Sequence, residues 1–266
     1  MHRVFLTIAF VLWGAQLLAD QRVDRLAQAM HLSHVMEILV QEGQGHREEL
    51  DETLLDNTGG AYFEAQVKDI YDPVWMQQFL TDAFEAGLSV AQLDQAILFF
   101  ESDLGQTIVL LENSARQAMS DQAIEDMARE SYESVERDST RFELVDEYIQ
   151  ANDLVEKNVQ GALSSDYSFF QGLDIDAQGD DQELLAELLS QKESRAAETE
   201  AWLYSFLLMA YRPLDETQMR ENIAFSRTET GRALNEALFD GFDRMFNDIS
   251  FRLGRAVAQT LRASDL

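Results

Sequence analysis

The sequence predicts an all-α fold: a helical bundle built from two tandem copies of one helical unit after an N-terminal signal peptide. Three observations predict it. Proline and glycine are scarce, with 2 and 13 in 266 residues, whereas chains rich in β-structure need them at frequent turns. Apolar residues make up 46% of the chain, enough for a packed core rather than disorder. One block of the chain also occurs twice.

The first element is the leader. Met1, His2 and Arg3 supply a short positive region, Val4 to Trp13 is a mostly apolar run, and Gly14 to Ala19 leads into Asp20, where charge begins. A membrane span needs about 20 apolar residues, and this stretch is shorter and ends in a small residue, so it predicts a secretory leader cut after Ala19. Leu17 stands where a small residue is usual before a cut, which keeps an uncleaved anchor as the alternative. The expected location is periplasmic or secreted, with no stable membrane insertion once the leader is removed.

Residues 88–108 and 214–234 align without a gap at an offset of 126. Leu88 and Leu214, Gln92 and Gln218, Ile97 and Ile223, Phe99 and Phe225, and Gly105 and Gly231 are identical pairs. Upstream, Trp75, Phe79, Leu80, Ala83 and Phe84 match Trp202, Phe206, Leu207, Ala210 and Tyr211, with one residue of slack. A weaker match of Glu37, Val40 and Gln41 with Glu156, Val159 and Gln160 extends the repeat backwards. The predicted organisation is a signal peptide at 1–19, one helical unit at 20–138 and a second at 139–266. The join falls near Arg137–Arg141. Gly172–Asp181 reads as a further break, and Asn57–Gly60 as a loop in the first unit.

Within the repeated block, Ser89 with Gln92 and Asp215 with Gln218 have the spacing of capping boxes, where the N-cap side chain and the third helical residue satisfy each other's amides. Leu88 with Leu93, and Leu214 with Met219, occupy the flanking hydrophobic-staple positions. The next corner has the form Phe-x-x-Ser/Thr-acid-x-Gly, at Phe99–Gly105 and Phe225–Gly231. Ser102 and Thr228 are its expected N-caps, and the acids that follow suit the positive end of the helix dipole. Glycine at the third helical position weakens a helix, so a close approach of two helices is the expected reason for Gly105 and Gly231. A helix over 103–118 follows in the first unit, then a recap at Ser120 and another helix to about 137. In the second unit a long helix runs from about 229 to 262, with Leu234, Leu238, Phe242, Met245, Ile249, Leu253 and Val257 on one face at the helical period. Such a stripe predicts core.

Residues 84–110 and 211–257 resemble the domain of unknown function 2059 family of bacterial exported proteins. Leu88, Ser89, Leu93, Phe99–Ser102 and Gly105 carry the resemblance in the first copy; Ala210–Leu214, Ile223–Phe225, Gly231 and Ala237–Phe239 carry it in the second. Family members often show Ser-Pro where this chain has Ser102-Asp103 and Thr228-Glu229, and the first helical position accepts either residue. The resemblance implies a helical exported protein and brings no reaction or catalytic residue with it.

Charge narrows the partners. With 20 Lys+Arg against 49 Asp+Glu, the net charge of −29 repels nucleic acid and anionic lipid, both of which are bound through phosphate neutralisation. The expected partner is an unidentified protein or an apolar ligand, and no nucleic acid. Without cysteine, disulfides, thiolate nucleophiles and zinc-thiolate sites are excluded. His31, His34 and Glu37 have metal-like spacing, but Ser33 reads as an N-cap that places His31 before the helix, off the shared face. Asp174–Asp180 imitates the start of a calcium loop, with Leu185 where the bidentate glutamate is needed, and reads as a solvated turn. Glu236, Asp240 and Asp243 share one helix face and read as a solvated surface unless burial separates their pKa values. Ser102 is the most tempting nucleophile, yet Thr228 repeats its capping role and no histidine recurs beside either.

No catalytic, cofactor-binding or metal-ligating residue is therefore assigned, and no cofactor is expected. Three roles stay open. They are a non-enzymatic binding protein with its ligand in the seam between the units, an envelope hydrolase, and a structural or chaperone-like envelope protein.

Overall fold

The computed structural model describes residues 21–173 and 181–264, and all regular structure among them is helical. The leader and the Asp174–Asp180 segment lie outside the described residues. Helix α1 covers residues 21–29, followed by α2 (Leu32–Leu54), α3 (Gly60–Ile70), α4 (Pro73–Gly87), α5 (Val90–Phe100), α6 (Asp103–Met119) and α7 (Gln122–Ser134). The second half holds α8 (Thr140–Asn152), α9 (Leu154–Leu173), α10 (Asp181–Ser190), α11 (Lys192–Ala210), α12 (Glu216–Ser226) and α13 (Glu229–Ser264). No helix among the described residues is long and apolar enough to cross a membrane.

The two corners form as their sequences dictate. Ser89 Oγ accepts from the Gln92 amide at 3.4 Å while Gln92 Oε1 accepts from the Ser89 amide at 2.9 Å. Asp215 and Gln218 make the same exchange at 2.9 and 3.0 Å. At the next bend Ser102 Oγ accepts from the Gly105 amide at 3.1 Å and donates to the Phe99 carbonyl at 2.6 Å. Thr228 Oγ1 does the same with Gly231 and Phe225 at 2.9 and 2.7 Å. Both glycines permit a backbone-to-backbone approach. A Cβ on Gly105 would lie 2.2 Å from the Phe99 carbonyl oxygen, and one on Gly231 would lie 2.1 Å from that of Phe225. The corners meet each other through Phe99 and Phe225, whose rings stack with centroids 3.8 Å apart and planes 3° apart.

Three caps and breaks differ from expectation. The N-cap of α2 is His31, not Ser33, because His31 adopts a left-handed conformation with φ 52° and turns the chain two residues earlier. The N-cap of α7 is Asp121, not Ser120; its carboxylate accepts from the Ala123 amide at 2.9 Å, a stronger acceptor than the neighbouring hydroxyl. Gly172 is not the start of a loop but a helical residue of α9, where a Cβ would lie 2.1 Å from the Phe251 carbonyl oxygen of α13. The expected join does carry a cap, since Ser139 Oγ accepts from the Phe142 amide at 3.3 Å. Arg141 then ties α8 to the second corner, donating to the carbonyls of Tyr211 and Leu214 at 2.8 and 3.0 Å.

Two apolar clusters hold the helices together, and each borrows a helix from the other half of the chain. The first joins α1 to α5 with α13, through Leu26, Met36, Phe63, Leu80 and Phe84 against Met245, Ile249, Leu253 and Val257. The second joins α8, α11 and α12 with α6, through Val145, Ile149, Leu207, Tyr211 and Ile223 against Leu104, Ile108 and Ala115. Helix α13 also runs along α9. The third helix of each corner is thus packed into the opposite core.

Candidate functional site

Where α6 and α13 face each other beneath α9 and α11, the packing leaves a cleft of about 490 Å³. Trp202 and Phe206 of α11 form one side, and Leu238, Phe239, Phe242 and Phe246 of α13 the other. The α13 stripe is therefore only partly core. Met245, Ile249, Leu253 and Val257 are buried, whereas Leu238 and Phe242 keep surface open to the cleft. The volume and apolar lining suit a small organic molecule.

A second cavity of about 280 Å³ adjoins the cleft and shares Glu112, Arg116, Tyr148, Phe206, Asn235, Leu238 and Phe242 with it. Its wall on the α6 side is polar. The Tyr211 hydroxyl donates to Glu112, and the Asn222 amide reaches Tyr211 Oη at 3.5 Å. The Tyr148 and Tyr211 rings meet edge to face at 5.4 Å. Glu112 keeps some surface open, yet its carboxyl lies deep enough that burial pushes its pKa up, opposed in part by the Tyr211 hydrogen bond. Burial, reinforced by the Glu112 charge, raises both tyrosines as well. Arg116, the cation lining both cavities, gives Nε and Nη2 to the two carboxylate oxygens of Glu42 at 2.9 Å each.

The offset of 126 continues through α6 and α13 and makes one wall a polar counterpart of the other. Glu112 corresponds to Leu238, Asn113 to Phe239 and Arg116 to Phe242; on the preceding helices Asn222 corresponds to Ala96. Tyr211, with its one residue of slack, corresponds to Phe84. Leu238, Phe242, Phe84 and Ala96 all belong to or pack on the first core. The backbone arrangement thus accommodates apolar residues at these positions, so the polar set around Glu112 is not a demand of the corner itself. These residues escaped the sequence reading; polar residues opposite apolar ones at the repeat offset were the available signal.

The residues singled out by sequence lie elsewhere, with one exception. His31 Nε2 meets Gln106 Oε1 at 3.0 Å while His34 Nδ1 meets Glu37 Oε2 at 3.3 Å, so the two histidines serve different partners. No cluster of three or more His, Asp or Glu that could hold a metal occurs among the described residues. The Ser102 hydroxyl is engaged in its cap. Glu236 pairs with Lys157 at 2.8 Å and Asp240 with Arg244 at 3.4 Å, both exposed. Asp243 is the exception. It lines the cleft, and burial first, then the Asp240 charge, push its pKa up while Lys157 lowers it.

The fold and cleft define an all-helical protein with an amphipathic chamber between exchanged helices. Residues 75–131, from α4 through most of α7, match a family described as an uncharacterized protein conserved in bacteria (DUF2059). No curated protein and no solved structure matches the chain.

Proposed function

We propose that this is an exported, non-enzymatic protein that holds an apolar or amphiphilic ligand in the cleft between α6 and α13. The observation that carries the reading is the face of α13 that stays open opposite Trp202 and Phe206 instead of closing into core. Packed interiors leave few such voids, and one lined by aromatic side chains suits an apolar molecule. A hydrolase reading would need a nucleophile, and Ser102 spends its hydroxyl on the α6 cap. The leader pattern at 1–19 supports a periplasmic or secreted location. The matched corners support descent from tandem duplication of one unit, at 20–138 and 139–266.

Titration of the leaderless protein with N-phenylnaphthylamine, an uncharged dye that brightens in apolar surroundings, tests the site. Saturable binding is expected, and Ala162→Trp, which places an indole in the cleft from α9, should abolish it with helix content unchanged. Absence of saturable binding, or undiminished binding by a folded Ala162→Trp variant, would sink the reading. Intact mass of the exported chain tests the leader: residues 1–19 should be missing, and their retention would mean an anchor.

A further inference from the structure

We infer that the ligand is a neutral amphiphile whose uncharged hydrogen-bonding head sits in the inner cavity against Glu112 and Asn113, with its apolar body between Trp202, Phe206 and the α13 aromatics. This rests on the ligand-binding reading of the cleft and adds the chemistry of the ligand.

Asn113 provides the first observation. It lines the inner cavity, is only 8% exposed, and its Nδ2 meets no hydrogen-bond acceptor among the described residues. A buried amide donor left unpaired is costly, so an acceptor brought into this cavity gains what the fold leaves unmet. The neighbouring amides are already engaged. Asn152 Nδ2 donates to the Tyr148 carbonyl at 2.9 Å, Asn235 Nδ2 to the Asn152 carbonyl at 3.0 Å, and Asn222 to Tyr211.

Charge selects among heads. An anionic head would lie beside Glu112 in the cavity and Asp243 in the cleft, and Arg116 is held by Glu42 through two bonds. A quaternary ammonium head has no acceptor for Asn113. A hydroxyl, amide or carbonyl has one, and needs no counter-charge. The carboxyl of Glu112, on the same wall, offers an acceptor to the hydrogen of a hydroxyl or amide head. The arrangement of walls supplies the rest, since the polar side of α6 stands across from the apolar side of α13 and a bound molecule meets both.

Competition against N-phenylnaphthylamine at neutral pH, with decanol, decanoate and decyltrimethylammonium as probes of equal chain length below their aggregation thresholds, tests the inference. Decanol should displace the dye at a concentration about tenfold below the two ions. Asn113→Leu, of similar size and without the donor, should weaken decanol by about 2- to 10-fold, the worth of one net hydrogen bond, once displacement is corrected for the variant's own dye affinity. Equal displacement by the three probes, preference for either ion, or unchanged decanol affinity in Asn113→Leu would overturn the neutral-head assignment while cleft binding stood. Failure of the dye itself to bind would instead overturn the cleft and this inference together.

Discussion

Gly105→Ala should destabilise the protein although it replaces the poorest ordinary helix former with the best. At the third position of α6, an added Cβ would stand 2.2 Å from the Phe99 carbonyl oxygen, 2.6 Å from Phe100 Cα and 2.9 Å from the Phe99 carbonyl carbon. All three are backbone atoms at the end of α5, so no rotamer change relieves the overlap. The two helix ends must part by about 1 Å, and overpacking of this kind costs about 1–3 kcal/mol. Parting them also stretches the Ser102 cap on the Gly105 amide, a bond of 3.1 Å. Against this stands a helix-propensity gain of about 0.5–1 kcal/mol, which leaves a net loss of about 1–3 kcal/mol once the weakened cap is included. Gly45→Ala is the control: Gly45 lies in the middle of α2 with nothing within 4 Å of the place its new methyl would take, so only the propensity gain remains. In a chain of this length, 1 kcal/mol moves the thermal midpoint by roughly 2–4 °C. Gly105→Ala should therefore melt about 2–12 °C lower, and Gly45→Ala about 1–4 °C higher. A Gly105→Ala midpoint at or above the parent would refute the contact reasoning.

Ser102→Ala and Thr228→Ala should each lower stability by about 0.5–2 kcal/mol in denaturant titration, because each removes the acceptor for a helix-end amide; Ser102→Asp, which caps as well, should lie close to the parent. Glu112→Gln should change the pH dependence of stability. Burial raises the folded pKa above the ordinary 4.5, so the contribution of Glu112 is fully present below that value and is lost as pH rises through the folded pKa. The stability of Glu112→Gln relative to the parent should then climb from about pH 4.5 upward, and a pH-independent difference would contradict the burial of this carboxyl.

Helix positions were legible because their signals are local. The sequence reading of 103–118 and about 229–262 compares with helices at Asp103–Met119 and Glu229–Ser264, and both capping boxes form between residues three apart. Ambiguity entered where two capping candidates stand side by side. Ser120 beside Asp121, and Ser33 two residues after His31, differ by which backbone turn the chain adopts, and spacing alone does not choose. The chamber was not legible for a different reason. Glu112 and Tyr211 are 99 residues apart, and only the packing of α6 against α11 brings them together.

Exchange of α6 and α13 between the cores explains why the chamber lies where it does. Had each corner packed its third helix into its own half, Glu112 and Arg116 would face α4 and α5, and Leu238 and Phe242 would face α11 and α12. Each core would then mix the two chemistries, with Glu112 set against Phe84 and Ala96 and Leu238 against Tyr211 and Asn222. Crossing over instead brings α6 to α11 and α13 to α4, with Phe99 stacked on Phe225 at the crossing. Beyond that stack, positions related by the 126-residue offset look at one another across the gap, and their divergence in polarity becomes a polar and an apolar wall of one cavity. Small residues of α9 keep the space from closing: Gly161 and Ala162 line the cleft, and a Cβ on Gly161 would lie 2.5 Å from Asp243 Oδ1. Two corners of matching form enclose an amphipathic chamber without a further element, because the crossing sets the polar face of α6 against the apolar face of α13.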